Sequence, residues 1–248
     1  MSVEISEQHE AHGHQHKDVS GGWLRPAVFG AMDGLVTNVS LIAGVGAGVN
    51  ASGGSPHLIV LTGLAGLAAG AFSMATGEYV SVSSQNELVQ AEVRKERHEL
   101  EHNADSERRE LAETFRRQGV EPDLADKVAA QISAHPEQAL DVHVREELGV
   151  DHRELPSPYT AAAASLITFA IGALIPLLPY LFQVKDLALA LALSLSLAAV
   201  AAFVGGGLVA RLTDRPFLRG AMRQLVLGAA AAGITFAIGT AVGTGIAS

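Results

Sequence analysis

Cysteine is absent from the 248 residues. Disulfides, thiolate nucleophiles, Cys-ligated zinc and Cys-ligated iron–sulfur clusters are thereby excluded. A metal bound by this chain must be held through carboxylate, imidazole, thioether or backbone oxygen. Charge is also scarce: 17% of residues are charged, against roughly 25% in a usual soluble domain. Bases are outnumbered, 17 Lys+Arg against 26 Asp+Glu, for a formal net charge of -9. A nucleic-acid binder would carry a basic patch, so no nucleic-acid partner is expected. The scarcity is local. Between 26 and 82 there is no Lys or Arg, and the only acids are Asp33 and Glu78. The segment 87–154 carries 18 acids and 10 bases. One uniform water-soluble globule does not segregate charge in this way.

What the chain has in abundance is apolar residues, 48% of the total, with a mean hydropathy of +0.27. A bilayer core about 30 Å thick takes about 20 apolar helical residues to cross. Five stretches reach that length: 26–49, 58–82, 160–182, 187–210 and 221–247. Buried core helices would carry polar stripes on one face, and these stretches lack them. The first 20 residues are polar and hold His9, His12, His14 and His16. They have no apolar core or small-residue cleavage site, so the first apolar stretch is expected to remain as an anchor. The fold class is therefore all-α: an integral membrane protein with five transmembrane helices and a helical insert between the second and third. The expected domains are a His-rich tail (1–20), helices one and two (21–82), the hydrophilic insert (83–157) and helices three to five (158–248). Sixteen of the 17 bases fall on the side of the N-terminus, the insert and the loop holding Arg211, Arg215, Arg219 and Arg223; Lys185 alone lies on the other. The positive-inside rule then places the tail and insert in the cytoplasm and the C-terminus outside.

The insert reads as helices. The second apolar helix is expected to continue past Ser83 toward Glu101, with a break at Asn103-Ala104-Asp105. Leu111 and Phe115 pair at i, i+4, Gly119 suits a helix stop, and Pro122 suits a first helical turn. Apolar stripes follow at Leu124, Val128 and Ile132, then, after His135-Pro136, at Leu140, Val144 and Leu148. One internal echo is present: Ile167-Thr168-Phe169-Ala170-Ile171-Gly172 recurs as Ile234-Thr235-Phe236-Ala237-Ile238-Gly239. It marks either an old duplication or the small alphabet of apolar helices.

Some side chains stand out chemically. Asp33 lies about two turns into the first membrane helix, where an acid costs about 2.5–3.5 kcal/mol on insertion scales. It is a candidate for ion or proton passage, or a protonated residue bonded to a neighbouring helix. Asn38 follows with an amide oxygen. Met74 and Glu78 share a face at i, i+4. A thioether suits softer transition metals, and a carboxylate takes either metal or proton. Alternatively, Met74 is a packing residue and Glu78 sits near the interface. In the insert, Glu96 and Glu99, then Glu107 and Glu110, repeat an i, i+3 spacing. On antiparallel helices these four would converge into a cation site. The interleaved arginines also fit a plain solvated face. His143 and Glu147 are placed to complete a site. Glu99 and His102 match the Glu-x-x-His element of di-iron bundles, which require two such elements. The tail histidines suit loose metal capture or are simply a polar tail.

At these residues the sequence resembles the vacuolar iron transporter family. The resemblance is carried by Asp33-Gly34-Leu35-Val36-Thr37-Asn38 and by Ala69-Gly70-Ala71-Phe72-Ser73-Met74-Ala75-Thr76-Gly77-Glu78-Tyr79. It extends through Glu147-Leu148-Gly149, Leu155-Pro156-Ser157-Pro158 and Ile175-Pro176-Leu177-Leu178-Pro179-Tyr180. It implies a homodimer with a pathway lined by the first two helices at the subunit interface. It also implies movement of ferrous iron, and often manganese, out of the cytoplasm in exchange for protons. Asp33 matches the family's pathway aspartate and Met74 its pathway methionine. Glu96, Glu99, Glu107, Glu110 and Glu147 match the glutamates of its cytoplasmic metal-binding domain. The sequence departs from plant members at His143, where they carry a methionine ligand, at Gly66, where they carry a membrane glutamate, and at Pro26, where they carry an acid.

The expected function is a secondary transporter, not an enzyme, in a bacterial inner membrane. Fe2+ or Mn2+ is its cargo and no cofactor is tightly bound. The alternatives are a membrane-anchored di-iron ferroxidase or iron store, and a metal sensor whose membrane part is only an anchor.

Overall fold

The computed structural model describes residues 22–247, which form helices, turns and loops without a strand. His9, His12, His14 and His16 lie outside the described residues. In chain order the helices are α1 (Leu24–Ser52), α2 (His57–His102), α3 (Ala104–Arg117), α4 (Pro122–Ser133) and α5 (Pro136–Leu148). Then come α6 (Pro158–Leu174), a 3-10 turn (Ile175–Leu177), α7 (Leu178–Leu181), α8 (Leu187–Leu212) and α9 (Phe217–Ala247). Five spans are long and apolar enough to cross a membrane: α1, α2, α6 with α7, α8 and α9.

The helix ends follow local chemistry. Gly53 closes α1 at φ 68°, with its N–H returned to the Val49 carbonyl. Ser157 caps α6 by accepting from the Thr160 N–H, and Asp186 caps α8 by accepting from the Leu189 N–H at 2.8 Å. The third apolar stretch, expected as one helix over 160–182, breaks at the 3-10 turn. Pro176 and Pro179 have no N–H to continue the helical ladder. The Pro176 carbonyl instead accepts a hydrogen bond from Ser194 Oγ of α8 at 2.7 Å. A neighbouring hydroxyl thus satisfies backbone that lipid cannot.

The first helix is the hub, packed against α2, α6, α8 and α9. The echoed segment explains two of these contacts. A side chain at Gly172 of α6 would meet the Ala31 carbonyl oxygen, and one at Gly239 of α9 would meet the Gly44 carbonyl oxygen. Thr168 and Thr235 behave alike too, each returning its hydroxyl to the carbonyl four residues back, at 2.8 and 3.1 Å. Both copies therefore let a helix backbone press directly on α1. Around α1 sit Ile42, Val49, Ile59 and Leu177 in one cluster, and Leu35, Val39, Ala198 and Ala202 in another.

The outward faces are apolar. Leu61 is 65% exposed, Phe72 68%, Val200 63% and Ile234 63%. Only 11% of the most apolar window of α9 is buried within the chain. Such a surface is stable when lipid or another apolar face covers it. With its composition, this makes the chain an integral membrane protein.

The second helix has 46 residues, about 69 Å at 1.5 Å per residue. That is twice what a bilayer needs. Its C-terminal half extends beyond the apolar span, and α3 and α5 pack on it. The small core there is Leu111, Ala112 and Ala129, flanked by Phe115, Ile132 and Val142. One expected stripe shifts. Leu124 is 51% exposed, and the buried face of α4 is Ala125 and Ala129, both at 0%. Small side chains let α4 sit close to α3, which turns the larger Leu124 outward. In α5, Leu140 and Val144 are buried while Leu148 is 36% exposed.

Candidate metal centre

The chemistry of the insert gathers where α2, α3 and α5 meet. Pro136 starts α5, and Gly149 ends it at φ 67° with its N–H returned to the Arg145 carbonyl. Ala139, Leu140, His143 and Val144 form the buried face of α5. His143 is therefore driven inward with the apolar stripe, and Glu147, one turn on, stands at its rim. An exposed ion pair fixes the approach of α5 to α2: Arg97 meets both carboxylate oxygens of Glu137, at 2.7 and 3.4 Å. Asp141 is held from the following loop by Arg153 and by His152.

This docking brings together Glu96 of α2, Glu107 of α3, and His143 and Glu147 of α5. One ligand atom from each lies within 4.8 Å of all the others. His143 Nδ1 is the centre, 3.2 Å from Glu96 Oε1, 3.3 Å from Glu147 Oε1 and 3.9 Å from Glu107 Oε2. The His143 side chain is 1% exposed, that of Glu96 14% and that of Glu107 10%; Glu147 opens to solvent at 38%. Three carboxylates around one imidazole, with no Lys or Arg among the four, repel one another unless protons or a cation intervene. Burial and then the Glu147 charge push the Glu96 carboxyl up to about 7, with His143 pulling the other way. Burial and then Glu110 raise Glu107 as well. Glu96 Oε1 and His143 Nε2 are buried without a hydrogen-bond partner among the described residues. The donor set suits a divalent ion of intermediate hardness, such as Fe2+ or Mn2+.

Glu99 and Glu110 lie outside this close group. Glu99 Oε2 accepts a hydrogen bond from Asn103 Nδ2 at 2.6 Å. Glu110 acts on the group through its charge. His102 is also outside it, so the Glu99-x-x-His102 element does not converge with the other carboxylates.

The membrane candidates lie on α1 and α2. Met74 and Glu78 line one cavity of about 180 Å³ together with Arg25, Phe29, Ser73 and Gly77. Glu78 is buried, at 9% exposure. Arg25 belongs to this mouth, a basic residue that reading the sequence for acids passed over. Asp33 is half-buried on α1, with Thr37 Oγ1 donating to its Oδ1 at 3.5 Å, and it does not line that cavity. Asn38 is 1% exposed and ties α1 to α6 through Nδ2 donating to the Ala173 carbonyl at 2.5 Å. Its Oδ1 is buried without a hydrogen-bond partner among the described residues. It lies 3.3 Å from the position a Cβ at Gly66 would take. A larger cavity, about 480 Å³, opens among α1, α8 and α9. Its walls, including Leu35, Val39, Ala198, Leu225 and Phe236, contain no titratable group and offer a cation nothing.

The chain is similar in sequence to proteins named as iron transporters. A protein named vacuolar iron transporter from Acanthamoeba castellanii is 36% identical over 236 residues, covering 92% of this chain and 82% of its own length. Vacuolar iron transporter 1 of Oryza sativa subsp. japonica is 33% identical over 250 residues, covering 97% of this chain and 95% of its own. Vacuolar iron transporter homolog 3 of Arabidopsis thaliana is 33% identical over 222 residues, covering 90% and 84%. The pattern of the VIT family matches residues 24–240, which takes in the first four apolar spans, the carboxylate-rich insert and most of the fifth span, and the chain belongs to that family.

Proposed function

We propose that this chain is a proton-coupled transporter of divalent metal, ferrous iron and also manganese, that carries its cargo out of the cytoplasm. The observation that carries the proposal is the continuity of α2. One unbroken helix bears Glu96 of the carboxylate group and, 18 residues earlier, Glu78 of the membrane cavity. At 1.5 Å per residue the two are about 27 Å apart along a single rigid element. The insert captures the ion through Glu96, Glu107, His143 and Glu147. Glu99 and Glu110 hold it electrostatically and are available to rotate in. The ion then passes to Met74 and Glu78, with Asp33 and the free oxygen of Asn38 deeper on the route. Protonation of Asp33 or Glu78 from the far side releases it, because one carboxylate cannot hold both cargoes.

In this reading two copies pair, and α1 and α2 line the path between them. The exposed face of α2 supports that arrangement. The insert, 83–157, and the tail, 1–20, face the cytoplasm of a bacterial cell, and the C-terminus lies outside the inner membrane. The tail histidines add loose capture. No enzymatic step is assigned. A ferroxidase role loses its support because Glu99-x-x-His102 supplies no second metal ligand set beside the first.

The test is metal uptake into liposomes holding the full chain under an imposed pH gradient. Wild-type uptake of Fe2+ should collapse with the gradient, and Asp33→Ala should abolish it. Uptake by Asp33→Ala at the wild-type rate overturns the proposed path.

A further inference from the structure

The C-terminal turn of α2 carries a second cluster of ligands. Its sequence is His98-Glu99-Leu100-Glu101-His102. Residues four apart share a helix face, and the His98 and His102 rings stand 4.0 Å apart between centroids, with planes inclined at 37°. His102 Nδ1 lies 2.8 Å from the His98 carbonyl oxygen. A carbonyl only accepts, so that nitrogen carries the proton and donates it. His102 Nε2 is then left with a free lone pair. Metal-ligating histidines are commonly oriented this way, with the second ring nitrogen donating to backbone. Both rings are exposed to solvent.

From this geometry we propose that His98 and His102 chelate a divalent transition metal of the Ni2+, Cu2+ or Zn2+ class, at a site separate from the carboxylate group. Two imidazoles at i, i+4 on one helix face are spaced so that a rotation of their side chains brings both nitrogens to one ion. Imidazole selects these borderline cations, whereas carboxylate favours harder ones. Glu96 and His98 are two residues apart, about 200° around the helix, so the two sites look in nearly opposite directions. The site therefore stands whether or not the chain transports iron.

The experiment titrates Ni2+ onto the full chain in detergent. The background has His9, His12, His14 and His16 changed to Ala, with Glu107→Gln and Glu147→Gln silencing the carboxylate group. One equivalent should bind. His98→Ala and His102→Ala should each weaken it by roughly tenfold or more, because losing either arm of a chelate loses the linkage. Cu2+ should show a spectrum with two coupled nitrogens in the background chain and fewer in either variant. Unchanged Ni2+ affinity in either variant overturns the site. So does a pattern in which each variant removes half of the bound Ni2+ and leaves the affinity of the remainder the same, since that marks independent imidazoles.

Discussion

Glu96 titrates near neutrality because burial and the Glu147 charge both disfavour its ionised form. Protons and divalent cations therefore compete for it close to physiological pH. Mn2+ binding should strengthen as pH rises through about 7 and then level off, as read by equilibrium dialysis. Glu147→Gln removes a neighbouring negative charge, so the midpoint of that pH profile should move to lower pH, along with a loss of affinity. The same shift acts on stability. Folded Glu96 holds its proton more tightly than an unfolded glutamate at 4.5, so its contribution is neutral below that value. It turns unfavourable between 4.5 and about 7 and stays so above. Mn2+ should accordingly raise the melting temperature more on the alkaline side of this window than on the acid side. Equal increments on both sides would remove Glu96 from the site.

Among the elements, α2 and the glycine contacts are the most informative. Ser84 lies on α2 between Glu78 and Glu96, on an exposed face. Ser84→Pro interrupts the helix there at a cost of about 3 kcal/mol. Mn2+ binding to the insert should survive while liposome flux falls at least severalfold. Flux at the wild-type rate would mean that rigid continuity is irrelevant to the handover. Gly239 presses on the Gly44 carbonyl and Gly172 on the Ala31 carbonyl. Gly239→Val and Gly172→Val should each destabilise the membrane bundle by about 1–3 kcal/mol or more, since backbone cannot move aside as a side chain can. Thermal unfolding in detergent measures it. A neutral result at both sites would detach the echoed segment from packing on α1.

For the whole molecule, the proposed orientation puts the α1–α2 loop outside and the α8–α9 loop in the cytoplasm. The absence of cysteine makes the chain a ready background for labelling. Ser55 lies between α1 and α2, and Thr213 between α8 and α9. In intact cells, a membrane-impermeant maleimide should label Ser55→Cys and spare Thr213→Cys until the membrane is opened. The reverse pattern would invert the proposed direction of transport.

The apolar spans were legible in the sequence because length and hydropathy suffice to define a helix that lipid will accept. The sequence also located the insert's helices, the proline start at Pro122, and the sharing of a face by His143 and Glu147, whereas Pro136, expected only as a break, starts α5. It could not say which helix faces meet. That choice lies in docking, so only the tertiary structure separated Glu96 and Glu107 from Glu99 and Glu110. It likewise turned Leu124 outward in favour of Ala125 and Ala129, and brought Arg25 to the Met74 and Glu78 cavity. Local sequence sets direction around one helix at about 100° per residue. Close approach between helices is decided by the partner's shape, which no single stretch of chain contains.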